Sequence, residues 1–131
     1  MKILVVVDAN IIMSALLGGK PSIILFDGRF KFVTCEFVLT EIQKYLPRLQ
    51  EKTGLPEEEI LNLLDSLPLQ IYRRAFYEDK LKQANNLMAE IDKKDIDVLA
   101  LALKLESYLW SQDKHFEKSE YPKILKTHNL L

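Results

Sequence analysis

The chain has 131 residues, with 48% hydrophobic and 28% charged residues, a composition typical of one globular domain with a core of its own. Its formal net charge of −1 excludes a general electrostatic attraction to nucleic acid, so binding to RNA or DNA would depend on local basic patches or bridging cations. The single cysteine, Cys35, excludes an internal disulfide and a multi-cysteine zinc site, and we interpret it as a buried structural thiol.

The start of the chain carries no pattern of a targeting segment. Met1 and Lys2 lead directly into a short apolar run without a small-residue cleavage site, and no apolar run approaches the roughly 20 residues of a membrane span. We therefore expect a cytoplasmic protein without membrane association.

Short apolar strands alternate with helices along the chain. The β-branched run at 3–7 is typical of a strand buried on both faces, and the apolar run at 11–17 is long enough for a helix. After a break at Gly18 to Pro21, a second helix is predicted at 22–26. Further strands are predicted at 31–35, 69–72, 108–110 and 124–127, and further helices at 36–50, 56–67, 77–91 and 96–105. This alternation predicts a single domain over 1–131, an α/β fold of three layers (α/β/α) with a short central parallel sheet.

Two acids lie just after the ends of predicted strands. Asp8 comes directly after the first strand, and Asp113 comes three residues after Trp110, the last residue of its strand. Ligands of α/β proteins bind outside the carboxyl ends of parallel strands, so both acids are expected at one edge of the sheet. Asp8 also has the ordinary interpretation of a helix N-cap.

Glu41 lies where an acid is unexpected. In a helix over 36–50, the apolar stripe includes Phe37, Val38 and Tyr45, and Glu41 falls inside that stripe. A carboxylate there must be paired, protonated or bound to a cation, because burying it alone is costly. An internal salt bridge and a cation site both stay open at this point.

Three acids crowd the start of the apolar helix at 96–105. On a helical wheel, Asp95 falls on the side of Leu99 and Ala102, whereas Asp97 falls on the opposite side and is predicted to face solvent. Asp92 lies before the helix and is a candidate cap. Asp95 is therefore the preferred site residue of the three.

Several converging carboxylates stay ionised only when cations neutralise them. Oxygen ligands of this kind suit Mg²⁺ or Mn²⁺ rather than zinc. The two histidines, His115 and His128, are well separated in the sequence, and we interpret both as surface residues rather than ligands.

Four short motifs then make the whole chain resemble the PIN-domain nucleases, especially the VapC-type ribonuclease toxins of prokaryotic toxin–antitoxin pairs. They read VVVDAN at 5–10, TE at 40–41, KDIDVLALAL at 94–103 and LWSQDKHF at 109–116. The order and spacing of the motifs carry the resemblance.

The resemblance implies a metal-dependent endoribonuclease with Mg²⁺ or Mn²⁺ as cofactor and RNA as substrate. It implies that the acidic cluster consists of Asp8, Glu41, Asp95 and Asp113. Asn10 and Ser111 would support these acids by hydrogen bonding, and Asp92 and Asp97 offer alternative alignments of the third motif. It also implies a homodimer and, for the toxin branch, a cognate antitoxin protein.

Two other functions stay open on the sequence. One is a catalytically idle PIN-like module that binds RNA or protein. The other is an aspartate phosphoacceptor domain, which also places an Asp at a strand end. In one such family a second Asp is expected two residues later, where this chain has Asn10.

Overall fold

The computed structural model describes residues 1–88 and 93–131 of the chain. In these ranges the strands are β1 (Ile3–Val7), β2 (Phe30–Cys35), β3 (Leu69–Tyr72), β4 (Tyr108–Trp110) and β5 (Ile124–Leu125). The helices are α1 (Ala9–Leu16), α2 (Pro21–Ile24), α3 (Glu36–Lys44), α4 (Leu46–Thr53), α5 (Glu57–Ser66), α6 (Arg74–Tyr77), α7 (Leu81–Leu87), α8 (Ile96–Leu105) and α9 (Lys114–Lys118). Short 3-10 turns occupy Glu78–Lys80, Lys93–Asp95 and Thr127–Leu130.

The strands form one parallel sheet in the order β3-β2-β1-β4-β5. Helices flank the sheet, so the predicted three-layer α/β/α architecture with a central parallel sheet is confirmed. The central strand β1 is fully buried over its last three residues, because Val5, Val6 and Val7 have no exposed surface. Helix α8 packs on β1 and β2 and contacts α6 and α7 in turn, whereas α1 packs with α2, α3 and α5.

Two predicted helices are interrupted. The helix expected over 36–50 breaks at Tyr45, where α3 ends and α4 begins, because Pro47 has no N–H to continue the hydrogen-bond ladder. The prediction that Tyr45 belongs to a buried apolar stripe is therefore wrong, since 36% of its surface is exposed. The helix expected over 77–91 is replaced up to Met88 by α6, a 3-10 turn and α7, and its last predicted residues lie outside the described ranges.

Cys35 is a free, fully buried thiol, as predicted. Burial raises the pKa of this thiol to about 11. None of the helices in the described ranges combines the length and the apolar character that a bilayer crossing requires.

Candidate metal centre at the edge of the sheet

The chain order of the strands creates a switch point beside β1. From β1 the chain proceeds outward through β2 and β3, then returns to place β4 on the other side of β1. The crevice between the carboxyl ends of β1 and β4 is the place where open α/β sheets bind ligands. Asp8 follows β1 and Ser111 follows β4, so both residues lie at this crevice.

Backbone and side-chain hydrogen bonds hold the two strand ends in register. The N–H of Asp8 donates to the carbonyl oxygen of Trp110 at 3.1 Å, which extends the pairing of β1 with β4 by one residue. On the other side of β1, the buried hydroxyl of Thr34 donates to the carbonyl oxygen of Val7 at 2.8 Å. Hydrogen bonds to β4 and β2 therefore hold the backbone at Val7 and Asp8 in place on both sides of β1.

The fully buried hydroxyl of Ser111 links the two strand-end acids. It donates to Oδ2 of Asp8 at 2.8 Å and accepts from the N–H of Asp113 at 3.0 Å. The other oxygen of Asp8, Oδ1, accepts from the N–H of Ala9 at 2.7 Å, so Asp8 is also the N-cap of α1. The cap interpretation and the shared edge with Asp113 are therefore both correct.

Asp8 is only 5% exposed. Burial is the largest cause that raises the pKa of its carboxyl group, and the negative charge of Asp113 acts in the same direction. The hydrogen bonds from Ser111 and Ala9 lower this pKa but do not offset burial. An ionised Asp8 is thus costly in the folded protein unless a cation lies nearby.

Asp95 and His115 join Asp113 at the same edge. Asp113 is the N-cap of α9, and its Oδ1 accepts from the N–H of His115 at 2.9 Å. The imidazole Nδ1 of His115 then lies 3.3 Å from Oδ1 of Asp113 and 3.4 Å from Oδ2 of Asp95. Asp95 directly precedes α8, and its side chain is 10% exposed. One donor atom from each of Asp95, Asp113 and His115 lies within 4.8 Å of the other two.

Two further predicted residues lie on the helices beside this edge. Glu41 is half-buried on α3, which packs against α1, and its Oε1 is shielded from solvent. Asn10 is half-buried on α1, and its buried Oδ1 accepts no hydrogen bond from any residue in the described ranges. Hydrogen bonds through Ser111 and the close approach of His115 thus connect Asp8, Asp113 and Asp95, whereas Glu41 lies on α3 and Asn10 lies on α1.

The prediction that Asp97 faces solvent is wrong. Asp97 is buried, accepts a hydrogen bond from the hydroxyl of Tyr77 at 2.5 Å, and lies 3.5 Å from Nε of Arg74. The helical wheel failed because α8 is enclosed between the sheet and the pair α6 and α7, so neither side of its first turn faces water. Asp92, the other alternative for the third motif, lies outside the described residues.

His115 is partly exposed, which agrees with its interpretation as a surface residue, and whether it binds a metal stays open. Its side chain is 42% exposed, but its Nδ1 points between two carboxylates of the predicted cluster. The signal in the sequence was its position two residues after Asp113, inside the first turn of the helix that Asp113 caps. His128 is exposed, as predicted.

The donor set fits a hard divalent cation. Carboxylate oxygens predominate, and Mg²⁺ and Mn²⁺ are bound mainly by such oxygens. The raised pKa of Asp8 fits the same conclusion, because a cation would favour the ionised carboxylate that burial disfavours. Asp95, Asp113 and His115 bring one ligand atom each within 4.8 Å of the others, and Asp8 is linked to Asp113 through the Ser111 hydroxyl.

Comparisons with known proteins agree with this geometry. The family model described as "PIN domain" matches residues 6–127. Among solved structures, the chain is similar to a chain in the crystal structure of VapBC2 from Rickettsia felis bound to a DNA fragment from their promoter. Sequence identity is 15%, the alignment covers 95% of this chain and 98% of that chain, and the TM-score is 0.66, which shows a common fold. A comparison with curated proteins found no match.

Proposed function

The chain belongs to the PIN-domain family, and from this premise we propose that it is a divalent-metal-dependent endoribonuclease that hydrolyses RNA phosphodiester bonds. The observation that carries the proposal is the Ser111 hydroxyl bridging Asp8 and Asp113 across the switch point, with Asp95 next to Asp113. A cluster of carboxylates at this edge of the sheet is expected to bind a cation rather than to stabilise the fold. The proposal treats residues 1–131 as one PIN-like nuclease domain.

In this proposal the carboxylates of Asp8, Glu41, Asp95 and Asp113 would hold Mg²⁺ or Mn²⁺. When bound, the ion would polarise the phosphate and lower the pKa of an attacking water. Ser111 orients Asp8, because it donates to one oxygen of that carboxylate and accepts from the backbone of Asp113. Asn10 offers a buried carbonyl oxygen that can accept from a water at the site. A carboxylate of the cluster would accept the proton that the water loses.

The geometry is unfavourable for an aspartate phosphoacceptor. Both oxygens of Asp8 already accept hydrogen bonds, one from Ala9 and one from Ser111, and the residue is almost fully buried. A nucleophilic carboxylate needs an oxygen that can reach the phosphorus in line. The cleavage assay described below distinguishes the nuclease from a catalytically idle module that only binds RNA or protein.

We also propose that the protein is the toxin of a toxin–antitoxin pair, a cytoplasmic homodimer with a cognate antitoxin protein. The support is the likeness in fold to a chain of the Rickettsia felis VapBC2 assembly, together with the motifs at 5–10 and 109–116. Co-expression with the product of a neighbouring small reading frame should yield a stable complex and suppress RNA cleavage. Cleavage that is unaffected by every such partner would contradict the toxin assignment while leaving the nuclease assignment intact.

The test of the nuclease is cleavage of a labelled RNA and of a DNA of the same sequence in Mg²⁺ or Mn²⁺. Asp8→Asn and Asp113→Asn should each lower RNA cleavage by about 100-fold or more, because a metal-ion interaction is worth several kcal/mol in the transition state. Asp65→Asn is the matched control, since Asp65 is exposed on α5 and should keep wild-type activity.

RNA binding without cleavage by the wild type would favour the idle module. Cleavage that survives in folded Asp8→Asn and Asp113→Asn would contradict the assignment of the site. Circular dichroism of each variant excludes loss of folding as the cause of lost activity.

A further inference from the structure

We propose that His115 supplies a nitrogen ligand to the divalent ion of this centre, and that this ligand makes the centre favour Mn²⁺ over Mg²⁺. The inference rests on the proposed metal-dependent function and adds a residue and a metal preference to it. It starts from the position of the imidazole, which the structure brings between two of the acids.

The distances fit ligands of one ion better than they fit strong hydrogen bonds. Nδ1 of His115 lies 3.4 Å from Asp95 and 3.3 Å from Asp113, whereas charge-assisted hydrogen bonds between nitrogen and a carboxylate are typically about 2.7–2.9 Å long. Neighbouring ligands of an octahedral ion, each about 2.1 Å from it, lie about 3 Å apart, and opposite ligands lie about 4.2 Å apart. The distances of 3.4 Å and 3.3 Å from Nδ1 of His115 to the two carboxylate oxygens lie between these two separations.

Hydrogen bonds fix the backbone of His115 next to Asp113. Asp113 caps α9 by accepting from the N–H of His115, and Ser111 in turn accepts from the N–H of Asp113. The imidazole is therefore presented by the same turn that presents the Asp113 carboxylate. Binding the ion therefore needs no rearrangement of the backbone that carries this ligand.

A nitrogen ligand changes which ion the centre prefers. Mg²⁺ selects oxygen ligands in strict octahedral geometry, whereas imidazole suits ions of the transition series. Carboxylates alone would bind Mg²⁺ and Mn²⁺ with similar preference, so the imidazole is the group that discriminates. With a side chain that is 42% exposed, His115 also tolerates replacement without disturbing the core.

The experiment is a Mn²⁺ titration followed by pulsed electron paramagnetic resonance of the Mn²⁺ complex. The chain has two histidines, so ¹⁴N coupling of an imidazole to Mn²⁺ can arise from only His115 or His128. We compare wild type with His115→Gln and with the matched control His128→Gln, because His128 is exposed on the turn Thr127–Leu130. Circular dichroism checks folding, and His115→Asn provides a second variant.

Imidazole coupling is expected in the wild type and in His128→Gln, and it should be absent in His115→Gln. The Kd for Mn²⁺ should rise about tenfold or more in His115→Gln, and the Kd for Mg²⁺ by less than about threefold. Mn²⁺ binding without imidazole coupling in the wild type, or coupling that survives in His115→Gln, would overturn the inference alone. Equal loss of Mn²⁺ and Mg²⁺ affinity would assign His115 a positioning role and overturn the metal preference. A wild type that binds neither ion would instead overturn the proposed function.

Discussion

Replacing Ser111 by alanine removes the hydroxyl that connects the two strand-end acids. That hydroxyl is fully buried, donates to Asp8 at 2.8 Å and accepts from the N–H of Asp113 at 3.0 Å. Alanine leaves the Asp8 oxygen and the Asp113 N–H without these partners and adds no bulk. The substitution therefore measures how much the bridge contributes to the fold.

The magnitude follows from the two bonds. A hydrogen bond to a charged group contributes about 1.5–3 kcal/mol and a neutral one about 0.5–1.5 kcal/mol. We therefore expect Ser111→Ala to lower the free energy of unfolding by about 2–4 kcal/mol when Asp8 is ionised. When Asp8 is protonated both bonds are neutral, and the expected loss is about 1 kcal/mol smaller.

The pH dependence has a definite sign. Burial raises the folded-state pKa of Asp8 above its unfolded value, so the stability that this group contributes is complete below the unfolded pKa and is lost as the pH rises through the folded pKa. The Ser111 hydrogen bond lowers that pKa and limits the loss. Without it the loss continues to higher pH, so the destabilisation by Ser111→Ala should grow from pH 4 to pH 9.

The assay is urea unfolding of wild type and Ser111→Ala at pH 4 and pH 9 in EDTA, so that no cation offsets the charge of Asp8. Ser66→Ala is the control, because the Ser66 hydroxyl is exposed and donates only to the carbonyl of Leu63 in its own helix. A loss below about 0.5 kcal/mol at both pH values, or a loss that shrinks as the pH rises, would refute the assignment of the bridge.

Two further predictions concern stability away from the candidate metal centre. Tyr77→Phe removes the hydrogen bond to the buried carboxyl group of Asp97 and should lower the free energy of unfolding by about 1.5–3 kcal/mol in urea titrations; a change below about 0.5 kcal/mol would show that the bond adds nothing. Glu106→Gly should raise stability by about 0.5–1 kcal/mol, because exposed Glu106 ends α8 at φ 52°, a conformation that glycine adopts without strain. Thermal unfolding checks this, and a lower Tm would contradict it.

The positions of Asp8 and Asp113 were predictable because they depend only on local sequence patterns and on the geometry of parallel strands. β-branched residues at 3–7 and the short apolar run at 108–110 mark two strands, and parallel strands bring their carboxyl ends to one edge. These two facts suffice to bring Asp8 and Asp113 together. The break at Tyr45 was equally present in the sequence, since Pro47 cannot donate to the ladder of a continuous helix.

Asp97 and His115 depended on tertiary packing instead. A helical wheel separates two sides of α8 but does not reveal that a second layer, α6 and α7, covers the side away from the sheet. The nearly all-apolar composition of α8 was the available hint, because such helices are buried all round. The approach of His115 to Asp95 joins residues from two different helix starts, and no spacing in the sequence encodes that distance.

RNA cleavage by a single preparation before chelation, in EDTA, and after re-addition of Mg²⁺ or Mn²⁺ tests the metal-dependent nuclease most directly, with Asp95→Asn measured in parallel. Wild-type cleavage should fall to background in EDTA and return with either ion, whereas Asp95→Asn should stay near background throughout while remaining folded. Full cleavage in EDTA, or restoration of Asp95→Asn by either ion to the wild-type rate, would contradict a metal centre built on these carboxylates.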